Sequence, residues 1–335
     1  MTHWLELDPA AQAGQIAALG FPRFRVGQLN RHLLTHHSFD PDTWTDVPKA
    51  ERAALAELAP NPLTVVRAPS ADDGQTIKTL WRLADGELVE SVLMAYPGRS
   101  TVCVSSQVGC GMGCPFCATG QLGLRRNLTA AEIAAQVIAA AREPAFPRLS
   151  NVVFMGMGEP LANYGPVLAS IRLIAGPMGI SARGITVSTV GLVPRIDQLA
   201  KEGLPLTLAL SLHAPDDELR DQLCPLNRRF PVAEVLAAGR RYFDATGRRV
   251  SVEYALIDSV NDQTWRAERL GRALGRRWAH VNLIGLNPTP GVKWKASGRQ
   301  AEFVKCLAAT GISVTIRDTR GQDIAGACGQ LAAAD

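Results

Sequence analysis

Thr101-Val-Cys-Val-Ser105, followed closely by Cys110-Gly-Met-Gly-Cys114-Pro-Phe-Cys117, is the stretch on which both the fold and the chemistry turn. The first five residues are β-branched or small and read as a strand. The block after them cannot extend a core strand, because Gly111, Gly113 and Pro115 interrupt it. It places three thiols within eight residues, on a loop flexible enough to bend them around one centre. Soft thiolates favour an iron–sulfur cluster or zinc, and three ligands leave one metal position unfilled by this loop. Buried core cysteines are the plainer alternative, which the glycines and proline oppose. A zinc site calls for a fourth Cys or His, and the nearest, Cys103, lies on the strand itself.

Outward from this loop, short β-branched runs alternate with longer helical ones. Strands are expected at Thr101–Ser105, Asn151–Phe154, Gly184–Ser188, Leu206–Leu212, Val250–Ala255, His280–Leu286 and Ser313–Ile316. Helices are expected at Ala130–Arg142, Val193–Lys201, Val232–Thr246, Thr264–Arg277 and Arg299–Ala309. Such alternation predicts an α/β fold with a parallel sheet, closed fully or partly into a barrel. Chemistry in such barrels sits on loops at the carboxyl ends of the strands. Here those loops read CGMGCPFC, MGMGEP, STVG, SLHAP and LNPTPG.

The chain has 335 residues, 47% of them apolar and 20% charged, which excludes wholesale disorder and a fibrous rod. Its net charge of +4 is too mild to declare a polyanionic partner. No apolar run is long enough for a membrane span, and the first residues lack a secretory pattern, so a cytoplasmic protein without a membrane partner is expected. An odd count of seven cysteines in that setting argues against a disulfide framework. Residues 1–60 read as short helices forming an accessory RNA-binding domain, 61–98 as a β-rich connector turning at Asp85-Gly86, and 99–335 as the barrel with its C-terminal cysteine segment. From Phe21 to Phe39 there is no acid, while Arg23, Arg25, Arg31, His32, His36 and His37 are present. This suits a phosphate-facing surface, and a solvated helix face is the plainer reading.

The cysteine spacing, with an aromatic before the last thiol, resembles the radical S-adenosylmethionine (radical SAM) superfamily. CVSSQVGC, RNLTAAEI, NVVFMGMGEPL, SLHAPDDELRDQLCPLN, VEYALIDSVND, VNLIGLNPTPG and RDTRGQDIAGACGQL resemble, more narrowly, the RlmN family. The resemblance runs from about Phe21 to Leu331. It implies a partial (β/α)6-type radical SAM barrel and methylation of carbon 2 of an adenosine in 23S ribosomal RNA and in certain tRNAs. It also implies a 4Fe-4S cluster on Cys110, Cys114 and Cys117, whose open iron is chelated by SAM. Gly158 and Glu159 then match the motif that grips the SAM amino group, and Ser188, Ser211, Leu212, His213 and Asn287 match further SAM contacts.

Two more cysteines carry the rest of the resemblance. Cys328 matches the residue methylated by a first SAM, and Cys103 its partner. The S-methyl group offers a C–H bond to the deoxyadenosyl radical from a second SAM, and the carbon radical adds to an adenine carbon that is no nucleophile. Cys103 then attacks the Cys328 sulfur, forming a disulfide and leaving the methyl on RNA. Glu90 in VESV matches a general-base candidate, an exposed strand carboxylate being the alternative. A flavodoxin or ferredoxin is implied as electron donor, and no long association helix is present, so a monomer is expected. Cys224 and Cys306 find no motif partner. Arg125, Arg126, Arg228, Arg229, Arg317 and Arg320 flank the motif loops and are expected to form a basic rim for RNA. The rivals are a Cfr-type enzyme acting on carbon 8, from which Glu159-Pro160 and Asp318-Thr319-Arg320-Gly321 depart, and a non-catalytic zinc-stabilised RNA-binding protein.

Overall fold

The architecture is that of a computed structural model, which describes residues 2–275, 277–317 and 319–333. Asp318, one of the residues separating the C2-type and C8-type readings, lies outside the described residues. The chain begins with three helices, α1 (Pro9–Ala18), α2 (Arg25–Leu34) and α3 (Lys49–Leu58). Asp8 caps α1 by accepting from the Ala11 amide at 2.8 Å, and Pro9 occupies the first turn, where no N–H is needed. Trp4 and Trp44 are fully buried and tie this unit together. Its attachment to the rest includes the Ala131 amide on Glu6 at 3.3 Å and Arg142 on the Ser38 hydroxyl at 3.2 Å.

Four strands follow: β1 (Leu63–Arg67), β2 (Ser70–Ala71), β3 (Thr76–Leu83) and β4 (Leu88–Tyr96), with Gly86 at φ 87° in the β3–β4 turn. β5 (Arg99–Cys103) opens the parallel part. The connector is not a separate layer, because β4 pairs antiparallel with β5, Val92 opposite Cys103, and so extends the same sheet.

A small hairpin, β6 (Gln107–Cys110) and β7 (Gly123–Asn127), brackets the cysteine loop and a short helix, α4 (Ala118–Gln121). The motif loop is therefore carried by its own two-stranded ribbon, not directly by the barrel strand. Gly109 makes this possible: at φ 73°, a Cβ there would fall 1.9 Å from the Gly123 carbonyl oxygen.

The barrel continues through α5 (Ala130–Ala141), β8 (Leu149–Phe154), α6 (Tyr164–Ala175), β9 (Ile185–Thr189), α7 (Val193–Leu199), β10 (Thr207–Ser211), α8 (Asp217–Leu223), α9 (Val232–Thr246), β11 (Val250–Leu256), α10 (Thr264–Leu274), β12 (Ala279–Gly285), α11 (Gln300–Ala309) and β13 (Val314–Ile316). The strand order β5-β8-β9-β10-β11-β12-β13 is sequential and every pairing in it is parallel. A sequential order has no reversal point, so the sheet winds as a barrel and not as a doubly wound layer. It stays open, because β4 occupies the outer edge of β5 and β13 ends the path. All seven residues of β11 are buried, as expected of a strand covered on both faces.

Helices α6 and α8 are absent from the expected set, and α10 stops at Leu274 instead of continuing to Arg277. Gly275 at φ 62° ends it, because an αR backbone cannot pass through that conformation. Among the described residues no helix is long and apolar enough to cross a membrane.

Candidate active site

Cys110, Cys114 and Cys117 line one cleft of about 160 Å³ at the carboxyl ends of the strands. Tight backbone packing shapes their loop: a Cβ on Gly120 would lie 2.7 Å from the Cys114 carbonyl oxygen. Burial pushes the Cys110 thiol up to about 12 and raises Cys117 as well, while the neighbouring Cys224 sulfur and burial raise Cys114. The sulfurs share the cleft without converging, and among the described residues no group of three or more His, Cys, Asp or Glu is already arranged around a metal. The donor set still fits an iron–sulfur cluster: three thiols, no hard oxygen ligand required, and a cleft beside them.

The opposite wall holds the predicted SAM contacts. Gly158 has φ 99°, and a Cβ there would lie 2.5 Å from Cβ of Gln107, so only glycine fits. Gln107 in turn accepts the Glu159 amide at 2.8 Å, which fixes the following carboxylate. That carboxylate accepts from the amides of Leu161 at 3.0 Å and Val190 at 2.9 Å, while burial pushes its pKa up to about 7. Lone pairs remain for an ammonium donor. Ser188 and Ser211 stand at the ends of β9 and β10, their hydroxyls 3.2 Å apart, and both line the cleft.

His213 lines the cleft with a left-handed backbone, φ 59°, and lies edge-on to Phe116 with ring centroids 4.9 Å apart. Its Nδ1 accepts the Ala255 amide at 3.0 Å, and burial drives its pKa down to about 3, so the ring is neutral. Leu212 differs from the expectation. Its side chain is fully buried and absent from the cleft lining, while its backbone joins the Arg220 guanidinium and the Glu253 carbonyl. Alternation along β10 explains this, since Ser211 faces the cleft and its successor must face away.

Cys328 sits where two cavities meet. It lines the main cleft with the three loop cysteines, and a smaller cavity with Cys103, Met155 and Arg317. Asn287 lines both and donates from Nδ2 to the Cys328 carbonyl at 2.9 Å. Burial, together with the nearby Cys328 sulfur, pushes the Cys103 thiol up to about 12, against the opposing pull of Arg317. Arg317 is half-buried and held further towards the charged state by Cys328 and Glu253. All seven cysteines are free thiols in this structure.

Glu90 stands apart. It is buried and lines neither cavity, its carboxylate meeting Lys78 Nζ at 2.9 Å and the backbone amides of Ala332 and Ala333. The alternative of an exposed strand carboxylate is therefore excluded.

Two cleft residues, and one cysteine packed behind the cleft, have roles that their sequence neighbours do not reveal. Glu253, a lone acid in the apolar run of β11, accepts from Ser251 and Asn282 at 2.5 and 2.8 Å, and burial raises its pKa. Arg317 was expected on an outer rim and instead points into the cleft. Cys224, left without a partner, places its sulfur 4.0 Å from that of Cys114.

The expected basic surfaces are largely neutralised. Arg25 is buried against Glu51 at 2.8 Å, while Arg31 and His32 both meet Asp46. Arg125 pairs with Glu87 at 2.9 Å, and Arg126 with Asp85 and Glu132 at 2.6 and 2.9 Å. Arg320 donates to the Ala95 carbonyl at 2.7 Å. Arg23, Arg228 and Arg229 remain exposed.

Comparison with known proteins fits this geometry. The Radical SAM superfamily description matches residues 104–270. A probable dual-specificity RNA methyltransferase RlmN from Kineococcus radiotolerans is 58% identical, over 99% of this chain and 89% of its own. A relative of the same description from Thermobifida fusca is also 58% identical, over 99% and 94%. The crystal structure of a radical SAM methyltransferase from Sphaerobacter thermophilus superposes with a TM-score of 0.96 at 51% identity, covering both chains completely. With its sequential parallel barrel, its three-thiol loop and this similarity over its whole length, the chain belongs to the RlmN family of radical SAM methyltransferases.

Proposed function

We propose that the chain methylates carbon 2 of an adenosine in 23S ribosomal RNA and in tRNAs, with Cys328 as carbon carrier and Cys103 as the thiol that releases the product. The observation that carries this reading is the position of Cys328, which shares one cavity with the cluster cysteines and another with Cys103. Cys110, Cys114 and Cys117 would hold the 4Fe-4S cluster. Glu159 would accept hydrogen bonds from the SAM ammonium, with Gly158 leaving room for its approach and Ser188, Ser211, His213 and Asn287 lining the cleft. When bound, the cluster and SAM supply a carbon radical able to take a hydrogen atom from a methyl group.

The chain's own residues do the rest. The Cys328 thiol loses its proton on taking a methyl group, and its sulfur then holds that carbon beside the cleft. Arg317 lines the small cavity with both thiols, and its cation favours the Cys103 thiolate. Once the carbon is bonded to RNA, carbon 2 must give up its hydrogen as a proton, and the adduct must return its unpaired electron to the bound cluster. A Cys103 thiolate then attacks the Cys328 sulfur. The S–S bond forms, the S–C bond breaks, and the electron pair left on carbon takes a proton to complete the methyl group.

An adenine substrate is recognised by shape and stacking as much as by charge, so a mild net charge of +4 is compatible with RNA. Arg23, Arg228 and Arg229 are the exposed cations available for phosphate contacts. A small flavoprotein or ferredoxin supplies the electron, and the protein works as a cytoplasmic monomer. The test is mass analysis of adenosine from RNA treated with the reconstituted protein, SAM and reductant. It should show 2-methyladenosine, and 8-methyladenosine or unmodified adenosine would overturn the reading.

A further inference from the structure

We propose that the buried Lys78–Glu90 pair is a latch that positions Cys328 by holding the C-terminal segment on both sides of it. The two residues lie on neighbouring strands, Lys78 two places along β3 from Leu80, which is directly opposite Glu90 on β4. Period-two alternation therefore puts both side chains on one face of the sheet. Both are almost completely buried, and Lys78 Nζ meets Glu90 Oε1 at 2.9 Å.

Their other hydrogen bonds go to one segment. Lys78 Nζ donates to the Ala325 carbonyl at 3.4 Å, three residues before Cys328. Glu90 Oε2 accepts from the amides of Ala332 at 3.0 Å and Ala333 at 3.2 Å, four and five residues after it. Between these grips, Asn287 holds the Cys328 carbonyl and the Ala118 amide holds that of Gly329 at 2.8 Å. Ala325 and Ala333, where the segment meets the latch, have left-handed backbones at φ 51° and 47°. A non-glycine residue keeps that conformation only where its surroundings enforce it.

A buried ion pair is weak evidence of stabilisation, because desolvating both charges offsets much of their attraction. A pair whose further hydrogen bonds reach the segment bearing Cys328 on both sides has a more specific use, since a thiol that serves two cavities must be placed accurately. This deepens, and rests on, the reading of Cys328 as carbon carrier. It gives Glu90 a positioning role.

The test uses the full-length, iron-reconstituted protein and three variants. Lys78→Met/Glu90→Leu removes both charges together, leaving no buried ion unpaired. Ala332→Pro removes one gripped amide without touching the sheet. Lys78→Met/Glu90→Gln keeps a carbonyl oxygen for the two amides. Amide hydrogen exchange over residues 325–333 should accelerate at least tenfold in the first two variants. The fraction of Cys328 found methylated by peptide mass analysis should fall by a similar factor. Iron content and the visible spectrum of the cluster should stay as in the unaltered protein, and the Gln-containing variant should recover both protection and methylation. Unchanged exchange, or full methylation of Cys328 with only RNA product lost, overturns the latch; the latter is the outcome a general base predicts. If Cys328 carries no methyl even in the unaltered protein, the functional reading fails, whereas accelerated exchange in the variants still establishes the latch.

Discussion

Burial and the neighbouring Cys328 sulfur push the Cys103 thiol up to about 12, so little of it is thiolate at neutral pH. If Cys103 resolves the protein–RNA adduct as thiolate, resolution should quicken by about tenfold per pH unit between pH 7 and 9. A flat profile, followed by loss of the adduct band on a denaturing gel, would contradict this. Arg317→Met removes the cation that favours the thiolate and should slow resolution by roughly tenfold at each pH, with RNA binding little changed. Glu159→Gln exchanges a charged acceptor for a neutral one and should weaken SAM binding by about 1.5–3 kcal/mol. Equilibrium dialysis with labelled SAM measures it, and an unchanged dissociation constant would remove Glu159 from the site. These cysteines and Glu159 were legible because their motif neighbours are contiguous. Glu253 and Arg317 were not, because what makes them site residues is supplied by other strands.

The elements divide by how locally their causes act. α5 was readable at its start because Thr129 and Glu132 form a reciprocal capping box three residues apart. β11 was readable because a strand covered on both faces needs an apolar run. The β6–β7 ribbon was missed, since its pairing joins residues across the cysteine loop and has no periodicity of its own. The basic stretch around α2 is less cationic than its composition for the same reason: Glu51 and Asp46, which pair with Arg25, Arg31 and His32, lie further along the chain. The loop after β8 depends most on a single residue. Gly158→Ala would force a Cβ against Gln107 in a left-handed backbone, and should cost about 1–3 kcal/mol of stability. Thermal unfolding should register that loss, together with weaker SAM binding through the displaced Glu159.

Across the whole molecule, the sequential strand order brings the carboxyl ends of β9, β10, β11 and β12 to one mouth. The antiparallel strands of the connector extend the barrel sheet and supply the wall on which the C-terminal segment rests. This joining was not visible in composition, because a strand's partner is a choice made in three dimensions. Protein prepared without oxygen should hold about four iron atoms per chain. Replacing Cys110, Cys114 and Cys117 with Ala should abolish them, while stoichiometric zinc would contradict the cluster. The most direct measurement of the central claim is mass analysis of nuclease-digested and protease-digested Cys103→Ala protein after turnover with RNA, SAM and reductant. The account predicts a peptide containing Cys328 joined through one carbon to carbon 2 of adenosine. An adduct at another residue or at carbon 8, or free 2-methyladenosine formed at the normal rate without any adduct, would contradict it.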